Sequence, residues 1–179
     1  SVAGLRNMLN QKIGNVQIGV LNMITEETAF IEDDNTVTAP STNFTVVRLR
    51  RDILSRGSLG VMLLNKEAVG APDFNRSLGI DTWLPLSKNL TLSGYLAATA
   101  DRERAGTFLS PKNNTAAKIS GDYNSDRYRY SFSYTRVDSN FHPEMGYIRR
   151  TGYRNTDAAF TFSPRPEQNS VIRKFSYTL

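Results

Sequence analysis

The sequence predicts an all-β fold, an antiparallel up-and-down meander of about ten strands that forms part or all of a transmembrane β-barrel. Strand-like segments recur along the whole chain, and no convincing helical period appears between them. The gaps between these segments alternate between short and long. Within the segments, apolar and polar side chains alternate, which sends them to opposite faces of a sheet.

The predicted strands have a common length and composition. Each is close to the ~9–11 residues that cross a bilayer when a strand is tilted. In chain order they lie near residues 4–11, 16–25, 43–51, 58–66, 76–84, 89–99, 115–123, 128–138, 153–163 and 170–178.

The connections between these strands are more informative than the strands. Short gaps rich in Gly, Asn, Asp, Ser and Pro lie at residues 12–15, 52–57, 86–88, 124–127 and 164–169. Long gaps lie at residues 26–41, 67–75, 101–114 and 139–152. Tight turns at one end and loops at the other are typical of an outer-membrane barrel. Greek-key crossovers in a soluble sandwich would mix long and short connections at both ends.

Charged side chains fall on one predicted face at mid-strand. Arg48 and Arg50, for example, alternate with Val47 and Leu49. A charge at the bilayer midplane on the lipid side costs ~2–4 kcal/mol, so we expect the charged face to line a lumen. In a lumen the charged side chains either form rings that select solutes, or they pair with one another and fill the barrel. The lumen-facing candidates are Arg48, Arg50, Asp81, Lys118, Asp122 and Arg129.

Aromatic rings occupy every second position of the segment "RYRYSFSYTRV" at residues 127–137. We predict that this column faces lipid, with Tyr128 near the turn-side interface, because tyrosines gather where a bilayer meets water. A ring column packed into a soluble core is the alternative. The lipid-facing or interfacial candidates are Tyr128, Tyr130, Phe132, Tyr134, Phe160 and Phe162, and further aromatics near strand ends are Trp83, Tyr123, Tyr147 and Tyr153.

Composition bounds the class of protein. The 179 residues suffice for one domain, and we expect a single barrel domain over residues 1–179, as a piece of a longer barrel. The mean hydropathy of -0.41 and the lack of any long apolar run argue against membrane-spanning helices. The net charge of +5 is scattered without a dense basic run, so we expect no nucleic-acid partner. There is no cysteine for a disulfide or a thiolate metal site, and the first ten residues do not resemble a signal peptide.

Catalytic patterns are largely missing. His142 is the only histidine, and no G-x-S-x-G motif accompanies it. The carboxylates of residues 26–34 lie in a predicted loop, and "EDDN" at 32–35 lacks the spacing of an EF-hand. We therefore predict no catalytic residue, metal or cofactor. The candidates for contacts at the barrel mouth are His142, Glu144, Arg149 and Arg150, with Arg136 and Arg154 nearby as cations for an anionic glycan or lipopolysaccharide.

Three stretches resemble a known family. They are "VQIGVLNMITEE" (16–27), "APSTNFTVVRLRRDILSRGSLGVM" (39–62) and "SNFHPEMGYIRRTGYRN" (139–155). These blocks are similar to the DUF5916 family, in which a family 9 carbohydrate-binding-like module precedes a barrel-like domain. The resemblance covers roughly residues 4–155. It implies an outer-membrane location in a Bacteroidetes-like bacterium, often near polysaccharide or peptide utilisation functions, with the module upstream in the parent chain. It implies no established reaction, although members are sometimes labelled hydrolases or sugar-binding proteins.

The sequence therefore predicts a membrane anchor or pore of a larger glycan-handling protein, in contact with outer-membrane lipid. A different class, a soluble secreted β-sandwich, would bind carbohydrate on Trp83 and exposed tyrosines. A third class is a glycoside hydrolase-associated domain. The sequence shows no pair of carboxylates on a rigid frame that would favour this class.

Overall fold

The computed structural model describes residues 5–32, 35–103, 108, 113–164 and 177–178. These residues form strands β1 (Leu5–Ile13), β2 (Val16–Thr25), β3 (Thr28–Glu32), β4 (Asn35–Ala39), β5 (Thr42–Ile53), β6 (Gly57–Ala68), β7 (Phe74–Pro85), β8 (Leu90–Asp101), β9 (Thr115–Asn124), β10 (Tyr128–Val137), β11 (Tyr153–Phe162) and β12 (Tyr177–Thr178). No helix occurs among them. The predicted all-β, antiparallel fold is confirmed.

The strands form one ten-stranded sheet in the order β1-β2-β5-β6-β7-β8-β9-β10-β11-β12. All pairings are antiparallel between sequential neighbours, apart from the excursion of β3 and β4 between β2 and β5. In the described residues β1 does not pair with β12, so the sheet is open where a barrel would be closed.

Short and long connections alternate between the two ends of the sheet, as predicted. At the turn end, residues 14–15 join β1 to β2, with Gly14 at a φ of 60° that suits the first position of a tight hairpin turn. At the loop end, residues 102–114 and 138–152 make long connections. The predicted loop at 67–75 is shorter, at residues 69–73, because β6 and β7 each extend to 12 residues.

One predicted loop contains a hairpin. Residues 26–41 include β3 and β4, which pair from Thr28↔Ala39 to Glu32↔Asn35. The sequence alone does not reveal these five-residue strands, because the acidic stretch "EDDN" at 32–35 resembles the sequence of a solvated loop. Asp33 and Asp34 of the considered ion site lie outside the described residues, as do most of the predicted turn at 164–169 and of the predicted last strand at 170–178.

Register and alternation divide the side chains between two faces. The polar face carries Gln17, Arg48, Arg50, Ser58, Lys66, Asn75, Ser77, Asp81, Ser93, Thr99, Lys118, Ser120, Asp122, Arg129, Ser131, Ser133 and Asp157. The apolar face carries Leu9, Ile18, Val20, Val47, Leu49, Leu59, Val61, Leu63, Leu78, Ile80, Leu92, Leu96, Ile119, Tyr128, Tyr130, Phe132, Tyr134, Ala158, Phe160 and Phe162. The predicted alternation of both sets is therefore present in the folded sheet.

The sheet is a single layer. Every strand-to-strand contact within the described ranges joins neighbours in a sheet, so no second sheet packs on either face. The small buried cluster lies instead on the polar face, where Phe141 from the β10–β11 connection packs against Ala116 and Val137.

Candidate functional site

The apolar face is exposed over most of its width. Thirteen of its large side chains retain between 37% and 57% of their accessible surface, and they are Leu9, Leu49, Leu59, Val61, Leu63, Leu78, Ile80, Leu92, Leu96, Ile119, Tyr128, Tyr130 and Phe132. Soluble monomers rarely expose a contiguous apolar surface on this scale. An exposed apolar surface of this kind is typical of sites that contact protein or membrane.

The apolar band runs obliquely across the hydrogen-bonded rows of the sheet. One row begins with the apolar residues Val61, Ile80, Leu96 and Ala117 and ends with the charged residues Arg136 and Arg154. On β10 and β11 the apolar residues lie nearer the turn end, at Phe132 and Ala158. A band of constant depth crosses the rows in this way when strands are tilted to the bilayer normal, by about 35–45° in membrane barrels.

The aromatic column contacts its own neighbours within the sheet. Tyr130 and Phe160 have ring centroids 5.0 Å apart, and those of Tyr128 and Phe162 are 5.3 Å apart. The rings of Tyr130 and Tyr123 lie 5.8 Å apart. No side chain of a second layer covers the column in the described structure, and Phe132 is 48% exposed.

Of the other aromatics near strand ends, Tyr123 lies on the face of this column, opposite Tyr130, whereas Trp83, Tyr147 and Tyr153 do not join it. Trp83 pairs across the sheet with Ser58 and Ser93, and Tyr153 pairs with Val137, so both rings lie on the polar face. Tyr147 lies in the β10–β11 connection and is 89% exposed. Proximity to a strand end does not determine the face, because the face depends on parity within the strand.

The six charged candidates all lie on the polar face, but only one pair of them forms an ion pair in the described residues. Arg48 Nη2 donates to Asp81 Oδ1 at 2.8 Å, and Nη1 donates to Oδ2. The pair spans β6 above Gly60, where a Cβ would lie 2.8 Å from both Arg48 Cζ and Asp81 Oδ2. A glycine at this position lets the guanidinium and carboxylate meet across an intervening strand.

The remaining charged candidates are less constrained. Arg129 Nε donates to Asn124 Oδ1 at 3.4 Å. Arg50, Lys118 and Asp122 form no ion pair with any described residue. The polar face therefore combines one bidentate pair with charges that are open to solvent.

Residues 139–152, the inner loop, fold over the polar face near the loop end. Asn75 holds two backbone groups of this loop: its Nδ2 donates to the His142 carbonyl at 2.8 Å, and its Oδ1 accepts from the Glu144 N–H at 3.2 Å. The His142 N–H donates to Thr99 Oγ1 at 3.1 Å. Asn75 and Thr99 are 2% and 0% exposed, so these bonds are shielded from water.

Charge and packing add to these bonds. Lys66 forms an ion pair with Glu144, and Phe141 is buried against the sheet. The ring of His142 is exposed, and its backbone makes the contacts in the described structure. His142 and Glu144 therefore belong to the attachment of the inner loop.

Asp138 fixes the point where β10 ends and the inner loop begins. Its Oδ2 accepts from Thr115 Oγ1 at 2.6 Å, and its Oδ1 accepts from Arg136 Nε at 2.7 Å. Burial alone would raise the pKa of Asp138, but the hydrogen bonds from Thr115 and Arg136 outweigh it and hold the pKa below its ordinary value.

A cleft of about 370 Å³ lies between the inner loop and the sheet. Small residues form its floor, namely Gly79, Ala97 and Ala116. Its aromatic and cationic walls are Tyr95, Tyr147, Arg149, Arg150 and Tyr153. The Arg150 guanidinium carbon lies 4.5 Å from the centroid of the Tyr153 ring.

The expected cluster of four cations is only half present. Arg149 and Arg150 line the cleft. Arg136 and Arg154 face each other across β10 and β11 on the apolar face, and Arg136 is paired with Asp138. The four residues are close in sequence, but strand alternation separates them onto two sides of the sheet.

Sequence reasoning missed Asn75, Thr99 and Tyr95. Asn75 falls in the predicted long gap at residues 67–75, and Thr99 and Tyr95 fall within the predicted strand at 89–99. Their role depends on where a distant connection folds, which no local pattern specifies.

Two features are absent from the described residues. No group of three or more His, Cys, Asp or Glu side chains is placed to hold a metal ion there. The described part of the chain also has no helix long and apolar enough to cross a membrane.

No family model, curated protein or solved structure matches this chain. The resemblance to the DUF5916 family thus stays a prediction from residues 16–27, 39–62 and 139–155.

Proposed function

We propose that this chain forms part of the wall of a transmembrane β-barrel in a bacterial outer membrane, as the anchor or pore of a larger glycan-handling protein. The single observation that carries the membrane proposal is the exposed apolar face. It lies opposite a charged face, on a sheet one layer thick. The glycan-handling part rests on the family resemblance and on its implied upstream carbohydrate-binding-like module.

Backbone chemistry adds a requirement to this proposal. In hydrocarbon every N–H and C=O must be paired, so the outer edges of the sheet need partners. The proposal therefore includes closure of the wall by strands in addition to the described ones. The polar face then lines the lumen, and the inner loop lies within it.

The oblique apolar band supports the same arrangement. In a tilted barrel strand, only the residues within the hydrocarbon layer have to be apolar on the outer side. The replacement of apolar side chains by Arg136 and Arg154 at the loop end of β10 and β11 marks that limit.

Fluorescence quenching by brominated lipids tests the proposal on neighbouring residues. Trp83, the single tryptophan, is first replaced by Phe, and one new tryptophan is introduced as Phe132→Trp or as Ser131→Trp. These positions are adjacent in β10 but lie on opposite faces. The full-length protein is refolded into vesicles whose acyl chains carry bromine.

We expect strong quenching for Phe132→Trp and weak quenching for the matched control Ser131→Trp. Equal quenching of the two tryptophans, or a folded protein that stays in the aqueous phase, would contradict the proposal. Conductance across a planar bilayer then distinguishes a pore from an anchor.

A further inference from the structure

We propose that the cleft beneath the inner loop binds a small anionic ligand with a ring-shaped body, of the kind represented by an acidic sugar. The proposed function contributes only the location of this cleft within a lumen. The binding itself follows from the shape, lining and charge of the cleft.

The floor of the cleft leaves room for a ligand because three successive strands contribute small residues. Gly79, Ala97 and Ala116 lie opposite one another in one row of the polar face. Longer side chains there would fill the space beneath the inner loop. The resulting volume of about 370 Å³ lies in the range of small-molecule sites, about 300–1,000 Å³.

The walls suit a ring. Tyr95 rises from the sheet beside the floor, while Tyr147 and Tyr153 approach from the inner loop and from the start of β11. Tyrosines offer a flat apolar surface together with a hydroxyl group, which a polyhydroxylated ring can use on its face and on its edge.

The charge of the cleft favours an anion. Arg149 and Arg150 line it and form no ion pair within the described structure. None of the described residues that line the cleft is acidic, and Glu144 and Asp81 are paired with Lys66 and Arg48. A carboxylate or phosphate on the ligand would provide the planar or multiple acceptors that guanidinium groups prefer.

The test is isothermal titration of the full-length protein in detergent micelles. Three probes are compared: galacturonate, galactose 1-phosphate and galactose, which share a ring and differ in the anionic group. We expect one or both anions to bind at least about tenfold more tightly than galactose, since hydrogen bonds between a guanidinium and an anion are about twice as strong as those between neutral groups. Binding of galacturonate would indicate a carboxylate ligand, and binding of galactose 1-phosphate would indicate a phosphate ligand.

Variants locate the binding. Arg149→Gln together with Arg150→Gln should weaken anion binding at least about tenfold. Gly79→Leu should abolish it by filling the floor, where an added Cβ meets its nearest atom at an ordinary 3.6 Å. Arg129→Gln is the control, because it removes a cation from the same face outside the cleft.

The proposal is overturned if galactose binds as well as the anions, if none of the three probes binds, or if the double arginine variant binds anions normally. Circular dichroism in micelles confirms that each variant is folded before titration. The outcome is independent of the lipid-quenching test, so failure of this site and failure of the membrane proposal can be told apart.

Discussion

Asn75 is the residue whose removal should release the inner loop. Its side chain donates to the His142 carbonyl and accepts from the Glu144 N–H, at 2.8 and 3.2 Å. It is 2% exposed, so water cannot easily replace either bond. Asn75→Ala would leave both backbone groups unpaired while the loop stays in place.

The expected cost follows from those two groups. Leaving a buried polar group unsatisfied costs about 1–3 kcal/mol, and the loop can avoid part of this cost by lifting away from the sheet. We expect a net loss of about 2 kcal/mol in the free energy of loop closure. This loss corresponds to about a 30-fold increase in the ratio of open to closed loop.

Hydrogen exchange of the full-length protein in micelles measures this ratio at single amides. The His142 and Glu144 amides, which donate to Thr99 and Asn75, should exchange about 30-fold faster in Asn75→Ala. Amides of β6 and β7 should be unaffected, since only local opening is altered.

Ser77→Ala is the matched control. Ser77 is on the same strand and face, two residues away, and is also buried at 7% exposure. Its hydroxyl has no hydrogen-bond partner among the described residues, so its removal should leave loop exchange unchanged or slightly slower. Equal exchange of the His142 and Glu144 amides in the two variants would refute the role given to Asn75.

Three further predictions concern the two faces and the start of the inner loop. In urea titrations, Gly60→Ala should be less stable than the control Gly79→Ala by about 1 kcal/mol. The reason is that only a Cβ at position 60 displaces the ion pair of Arg48 with Asp81. Equal stabilities of the two variants would contradict this. Since the pKa of Asp138 is lowered by folding, its stabilising contribution is present above about pH 3.9 and lost as pH falls through the lowered value. Asp138→Asn should therefore flatten the acid limb of a plot of unfolding free energy against pH, and an unchanged limb would exclude this role. Leu96→Arg should cost ~2–4 kcal/mol of folding free energy in vesicles if the apolar face meets lipid, whereas a 50% exposed position in water would tolerate it at little cost.

The sequence was sufficient for the strands because their alternation is local. Val47, Arg48, Leu49 and Arg50 take the faces that their order predicts, since parity within a strand needs no knowledge of the rest of the chain. The pairing of β3 with β4 could not be predicted in this way, because two five-residue strands give too few alternations to outweigh the acidic sequence between them.

The candidate site was less accessible to sequence reasoning, since it depends on contacts between distant segments. Asn75 and His142 are 67 positions apart in the chain but joined by a hydrogen bond. Arg136 and Arg149 are near in sequence but lie on different sides of the sheet. Spacing along the chain therefore suggested a four-cation cluster and missed the polar anchors that determine where the loop rests.

The position of the inner loop bears on which face meets water. If the apolar face were the interior side of a soluble domain, the long connections would be expected to cover it, because covering exposed apolar surface is the main gain of folding. The inner loop instead places Phe141 against Ala116 and Val137 on the charged side, and there it satisfies its backbone with Asn75 and Thr99. The inner loop thus leaves the larger apolar surface uncovered and folds onto the polar face. This arrangement is expected if lipid covers the apolar face and the polar face lines an aqueous lumen.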